Sequence, residues 1–316
     1  REFIERAYIP DIKMVTQAYK AEMKAGLGRG NGNFMACGGY NFANTQKLFV
    51  DGIITGHDFT KVDAFDINKI TEEASRSWYA DEEAIKPYSG TTTPEYTDLN
   101  DDGSLKTESK YSWVKAPRYD EKPMEVGPVA RMLLGYVQDS TIIKPYMQHF
   151  MDTTDMELID FSSTIGRNAA RAVEAQICND YLFDFMSDLI ENIKYYDEET
   201  WSKYRFEELP TEAKGVGVFE VPRGVLAHFV RIEDAKIANY QAVVPTTWNA
   251  SPKDSFGVRG PYEESLIGIT LSNPKAPLEV LRVIHSFDPC LACAVHVVDT
   301  KGRELSQYKI NANCVL

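Results

Sequence analysis

Between Ile165 and Ile193, apolar or small side chains recur at Ala169, Val173, Ile177, Tyr181, Phe185 and Leu189, with a second row at Ala172, Leu182, Met186 and Ile190. Spacings of three and four residues place both rows on one side of a helix, so the pattern predicts a long helix with a wide apolar stripe. Such a stripe escapes water by packing on other helices, and a bundle with a buried face is the expected core. A second helix is predicted from Pro10 to about Lys24, where Pro10 suits a first turn and Ile12, Val15, Tyr19 and Met23 share a face. From Gly215 to Asn249, Gly, Pro and β-branched residues alternate, which predicts short strands and tight loops. The fold class that follows is mainly α with smaller β segments, an α+β arrangement.

With 316 residues the chain can bury a sizeable core, and length alone suggests about two domains. A net charge of −13 makes nucleic acid an unsuitable partner, because a polyanion is repelled over much of the surface. No apolar run approaches the roughly 20 residues that span a bilayer. The chain opens on Arg1 and runs straight into an amphipathic segment, so it is expected to begin mid-protein. Its cysteines, Cys37, Cys178, Cys290, Cys293 and Cys314, are too few and odd in number for a disulfide scaffold. Cys37 and Cys178 read as small buried hydrophobes.

Two segments imitate binding motifs. Gly26-Leu27-Gly28-Arg29-Gly30-Asn31-Gly32 has the alternating glycines of a phosphate loop, yet it follows a helix and no Lys-Ser/Thr opens a helix after it; a plain loop is expected. Residues 86–123 are polar, turn-rich and β-biased. Within them Asp98-Leu99-Asn100-Asp101-Asp102-Gly103 begins like a calcium loop, but Ser109 stands at the twelfth position, where a bidentate Glu is needed. A hairpin turn around Asp102-Gly103 is expected instead.

Cys290 and Cys293, with His296 three residues further on, are the pattern with metal-ligand spacing. A Cys-x-x-Cys turn lets two thiolates converge on one ion. The pair could be half of a structural zinc site, a redox disulfide, or the thiolate ligands of nickel or iron. By spacing alone the zinc reading leads.

The longer string His285-Ser286-Phe287-Asp288-Pro289-Cys290-Leu291-Ala292-Cys293-Ala294-Val295-His296 resembles the C-terminal signature of nickel–iron hydrogenase large subunits. So do Val221-Pro222-Arg223-Gly224-Val225-Leu226-Ala227-His228 and Tyr240-Gln241-Ala242-Val243-Val244-Pro245-Thr246-Thr247-Trp248-Asn249. Ala116-Pro117-Arg118-Tyr119, Glu125-Val126-Gly127-Pro128-Val129-Ala130-Arg131 and Gly166-Arg167-Asn168-Ala169-Ala170-Arg171 follow the same family pattern in the same order. The resemblance covers most of the chain and implies a hydrogenase large-subunit-like helical bundle core.

That resemblance implies a division of labour. Cys290 would be a terminal nickel ligand, and Cys293 would bridge nickel to an iron carrying cyanide and carbon monoxide. Cyanide nitrogens accept hydrogen bonds, so Arg223, held by Pro222, and the Thr246 hydroxyl would serve them, while Leu226 and Val244 would wall the carbon monoxide. The Cys290 thiolate would act as the base that receives a proton from dihydrogen, tuned by Arg223 and Asp288. The bland reading of Asp288 is a turn or cap ahead of Pro289. His296 and the carbonyl of Ala242 would ligate a structural magnesium.

Residues 1–296 would then be the C-terminal part of the large-subunit domain, and 297–316 an extension removed by a maturation endopeptidase. The implied function is reversible oxidation of dihydrogen, with electrons passed to an iron–sulfur small subunit. The setting would be a respiratory uptake enzyme on the periplasmic side of the membrane, attached through partners such as a cytochrome b. The family's N-terminal Arg-x-Cys-Gly-x-Cys motif has no counterpart here, so this fragment alone is expected to be inactive. Two alternatives stay open: a non-catalytic scaffold like the quinone-reductase core subunits, and a hydrogen-sensing regulator.

Overall fold

The computed structural model describes residues 1–80, 83–90, 92–96, 100, 109–199 and 210–290, and the backbone of 294–298 and 304–309. The turn expected at Asp102-Gly103 lies outside these residues.

A π-helical turn (Ile4–Tyr8) runs into α1 (Ile9–Ala18) and α2 (Lys20–Lys24). The single helix expected from Pro10 is therefore interrupted at Tyr19, where ψ opens to 18°. Its apolar face is nonetheless real: Ile12 packs on the main core and Met23 is buried in it. The glycine-rich stretch that follows is a loop, as expected.

Next come β1 (Phe34–Asn41) and β2 (Lys47–Ile54), an antiparallel hairpin with Phe34 opposite Ile54. Successive side chains on a strand point to opposite faces. Phe34 and Ala36 accordingly join the helical core, while Met35 and Cys37 face a second core beneath the later sheet. A short pair, β3 (Ile70–Glu73) with β4 (Ala116–Tyr119), borders that second core.

The helical layer consists of α3 (Pro128–Val137), α4 (Ile143–Thr154), α5 (Thr164–Asp180) and α6 (Leu182–Tyr195). α3 is buried from Pro128 through Gly135. Ser163 caps α5, its hydroxyl accepting from the Gly166 N–H at 3.1 Å.

The long stripe divides into two fates. Ala169, Ala172, Val173 and Ile177 on α5 are buried, as a bundle face requires. At Tyr181 (ψ 0°) the helix breaks, and α6 buries no residue. Tyr181 and Phe185 still pack on Phe42, but Leu182, Phe183, Met186, Leu189, Ile190 and Ile193 are exposed. Periodicity identifies an apolar face; it does not guarantee that the residues described here cover it. The expectation of core packing thus holds for α5 and is corrected for α6.

The expected short strands are a second correction. β5 (Ala213–Val221), β6 (Gly224–Glu233) and β7 (Lys236–Val243) are eight to ten residues long and form one antiparallel sheet. Two-residue turns join them, Pro222-Arg223 and Asp234-Ala235. The short helices α7 (Pro245–Asn249) and α8 (Pro261–Ser265) and the longer α9 (Leu278–Ser286) follow. A final hairpin pairs β8 (Ala294–Val298) with β9 (Glu304–Lys309), His296 opposite Gln307. The architecture is the expected α+β mixture, a helical core with small sheets. Among the described residues no helix is long and apolar enough to cross a membrane.

Candidate metal centre

Four segments meet around the chain entering Cys290: the β5–β6 turn, the N-terminus of α7, the C-terminus of α9 and the first turns of α5. α9 ends with Phe287 as its C-cap, and Asp288 follows in the left-handed conformation at φ +55°. Its N–H donates to the His285 carbonyl at 3.0 Å, satisfying one of the helix's last acceptors. The turn-or-cap reading of Asp288 is therefore geometrically present.

So is the charged one. Arg223 Nε donates to the Asp288 carbonyl at 2.8 Å and lies 3.3 Å from Oδ2 of the same residue. Two residues on, the Cys290 N–H donates to Thr246 Oγ1 at 3.2 Å. Because that oxygen accepts from Cys290, the Thr246 hydroxyl proton is left to donate elsewhere. The Cys290 thiol itself is free and exposed.

Three buried or half-buried arginines support this segment, and to none of them did the sequence motifs assign a role. Arg171 Nη2 donates to the Ser286 carbonyl at 2.7 Å; burial lowers its pKa, with Asp288 pulling it back up. Arg167 lies 3.7 Å over the Phe287 ring while its Nε and Nη2 bind the two carboxylate oxygens of Glu125, and its Nη1 donates to the Gly28 carbonyl. The glycine loop is thus an acceptor for an arginine. Arg131 holds the Pro222-Arg223 turn through the Val221 and Pro222 carbonyls, at 3.1 and 2.8 Å. A charge inside an apolar helical run, as in Val129-Ala130-Arg131-Met132-Leu133, was the available signal.

The other candidates are placed less closely. Pro222 is exposed at the turn, and Leu226 is half-buried on β6 opposite Phe219. Val244 is the exposed N-cap of α7, two residues before Thr246. Ala242 sits on β7 opposite His228. Cys293, Cys314 and the His296 side chain lie outside the described residues. Among the described residues no three His, Cys, Asp or Glu side chains cluster as a metal site. Cys37 is half-buried, but Cys178 is exposed, contrary to its reading as a buried hydrophobe. It lies on the last turn of α5, where the helix is leaving the core.

The sequence model of the family described as nickel-dependent hydrogenase matches residues 1–296. The chain belongs to that family. The quinone-reactive Ni/Fe-hydrogenase large chain of Wolinella succinogenes is 42% identical, covering 98% of this chain and 56% of the relative. The uptake hydrogenase large subunit of Rhizobium leguminosarum bv. viciae is 40% identical over 98% of this chain and 55% of its own length. A reduced, active form of the Ni-Fe-Se hydrogenase from Desulfomicrobium baculatum superposes with a TM-score of 0.73 at 31% identity, covering 92% of this chain and 56% of that one. The chain thus spans about half the length of these hydrogenase relatives.

Proposed function

We propose that the whole protein oxidises dihydrogen reversibly at a nickel–iron centre and passes the electrons to an iron–sulfur small subunit. Family membership supports the activity, and one observation ties it to this chain. Thr246 and Arg223 converge on the turn that presents the free Cys290 thiol.

The donor chemistry fits nickel in part. Soft, polarisable thiolates suit nickel and low-spin iron, and Cys290 is accessible and unpaired. With Cys293 it would hold the metals. Arg223, on the turn that begins at Pro222, and Thr246 would supply hydrogen bonds to cyanide ligands, and Leu226 and Val244 the apolar wall beside carbon monoxide. Ala242, through its carbonyl, and His296 would hold magnesium. When bound, the nickel–iron pair supplies the Lewis acidity that polarises an H–H bond.

The chain's own residues then handle the proton. The Cys290 sulfur receives it, and the Asp288 carboxylate, fixed by Arg223, sets the local charge that governs its departure. Oxidation also releases electrons. The described cysteines form no cluster that could carry them, which favours an iron–sulfur partner as the exit.

Residues 297–316 are proposed to be the segment a maturation endopeptidase removes; the end of the family match at His296 supports this. A peripheral position on the periplasmic side of the membrane, through a cytochrome b, is proposed with it; the quinone-reactive relative supports the membrane association.

The test is expression of the full-length gene with its small subunit and maturation proteins, followed by nickel analysis and hydrogen-dependent dye reduction. Stoichiometric nickel with dye reduction is expected; nickel-loaded protein that reduces no dye would refute the proposal.

A further inference from the structure

Arg131 is fully buried in the apolar N-terminal half of α3, and all five of its N–H donors are used. Nε and Nη2 bind Glu174 at 2.7 and 2.6 Å, and Nη1 binds Glu220 at 2.6 Å. Burial works against its charge, but these two carboxylates together outweigh burial and raise its pKa above the ordinary arginine value. Its remaining two donors go to the Val221 and Pro222 carbonyls.

A buried ion pair is a poor source of net stability, since desolvation consumes most of the attraction. The main-chain contacts suggest a different purpose. The Pro222 carbonyl belongs to the peptide plane that precedes the Arg223 Cα, so fixing it fixes where the Arg223 side chain sets out. The same turn is also packed closely against the main chain at Gly127. A Cβ on Gly127 would come within 2.8 Å of the Arg223 carbonyl oxygen, and one on Gly224 within 2.7 Å of the Gly127 nitrogen. The turn is therefore held at the start of α3 both by close main-chain packing and by a guanidinium from the first turns of the same helix.

We propose that Arg131 is a positioning residue for Arg223. It sets the Arg223 guanidinium against Asp288 and the Cys290 turn, through two carbonyls and without touching the reacting groups. Arg131 and Arg223 would then act as one unit, and removing either would cost about what removing both does. This inference rests on the catalytic reading of Arg223.

The experiment is a double-mutant cycle in the full-length, nickel-loaded enzyme with its partner, comparing Arg131→Gln, Arg223→Lys and the double variant. Each is read by nickel content, by kcat and KM for hydrogen separately, and by the nickel electron paramagnetic resonance spectrum. Arg131→Gln should keep its nickel and its KM, lower kcat by about 10- to 100-fold, and shift the nickel spectrum as Arg223→Lys does. The double variant should be no slower than Arg223→Lys alone. Losses that multiply, or an unshifted nickel spectrum in Arg131→Gln, overturn the inference and leave the reading of Arg223 standing. A silent Arg223→Lys overturns both. If Arg131→Gln does not fold, Glu174→Gln, which leaves Arg131 in place but loosens it, enters the same cycle and is judged by the same two outcomes.

Discussion

Arg223 reaches Asp288 twice, with its Nε donating to the main-chain carbonyl at 2.8 Å and lying 3.3 Å from the carboxylate. One guanidinium thus fixes both the backbone and the charge of the residue two before Cys290. The two roles are separable, because Asp288 is also held at φ +55°.

Asparagine tolerates the left-handed region and alanine does not, the difference being roughly 1–2 kcal/mol. Asp288→Asn should therefore load nickel normally and lose turnover by about tenfold, since about 1.4 kcal/mol of charge tuning is removed. Asp288→Ala should lose nickel occupancy as well. Nickel analysis and hydrogen turnover on both variants decide it; equal occupancy in the two would show that the backbone conformation is unimportant.

Thr246 is buried and accepts the Cys290 N–H. Thr246→Val keeps the shape but leaves that N–H unpaired, a cost of about 1–3 kcal/mol. Nickel retention during gel filtration should fall in Thr246→Val and recover in Thr246→Ser. Retention equal to wild type in the valine variant would mean the hydrogen bond does not position Cys290.

Gly166 has no room for a side chain. An added Cβ would fall 2.0 Å from the Asp160 carbonyl oxygen and 2.4 Å from the Phe161 Cα. Both are backbone atoms, so Gly166→Ala should destabilise the fold by about 3 kcal/mol or more and displace Arg167 with the start of α5. Denaturant unfolding measures this, and a change below about 1 kcal/mol would contradict the packing.

Glu72 carries a pH dependence. Burial pushes its carboxyl from 4.5 up to about 7, against the pull of Lys115 and a hydrogen bond from Gln241. The native state then binds more protons than the unfolded chain between those values, so stability falls as pH rises through that window and levels off above it. Glu72→Gln removes the slope. Relative to wild type it should gain up to about 3 kcal/mol between pH 5 and pH 8. An identical wild-type–variant difference at the two pH values would show that Glu72 does not titrate in this way.

How much of this was legible depended on whether the signal was local. The Asp288–Cys290 turn, Arg223 and Thr246 stood out because each lies in a short contiguous block. α5 was legible because its stripe is buried. The arginine supports were not, since Arg131 finds Glu174 and Glu220 only 43 and 89 residues away. The Gly, Pro and β-branched alternation from Gly215 to Asn249 suggested short strands, yet Gly215 and Gly217 both sit inside β5 where nothing approaches within 4 Å of their missing side chains. A strand tolerates such glycines where no side chain is needed for packing. The exposed face of α6 was misread for the opposite reason, because an apolar stripe looks the same whether or not it is covered.

The central claim is that the Cys290 turn forms part of a centre that splits dihydrogen. Isotope exchange tests it without any electron acceptor: nickel-loaded full-length enzyme is held under hydrogen in heavy water, and the appearance of HD is followed by mass spectrometry. Wild type should form HD steadily and Cys290→Ala should form none. Nickel-loaded wild type that produces no HD would contradict the account.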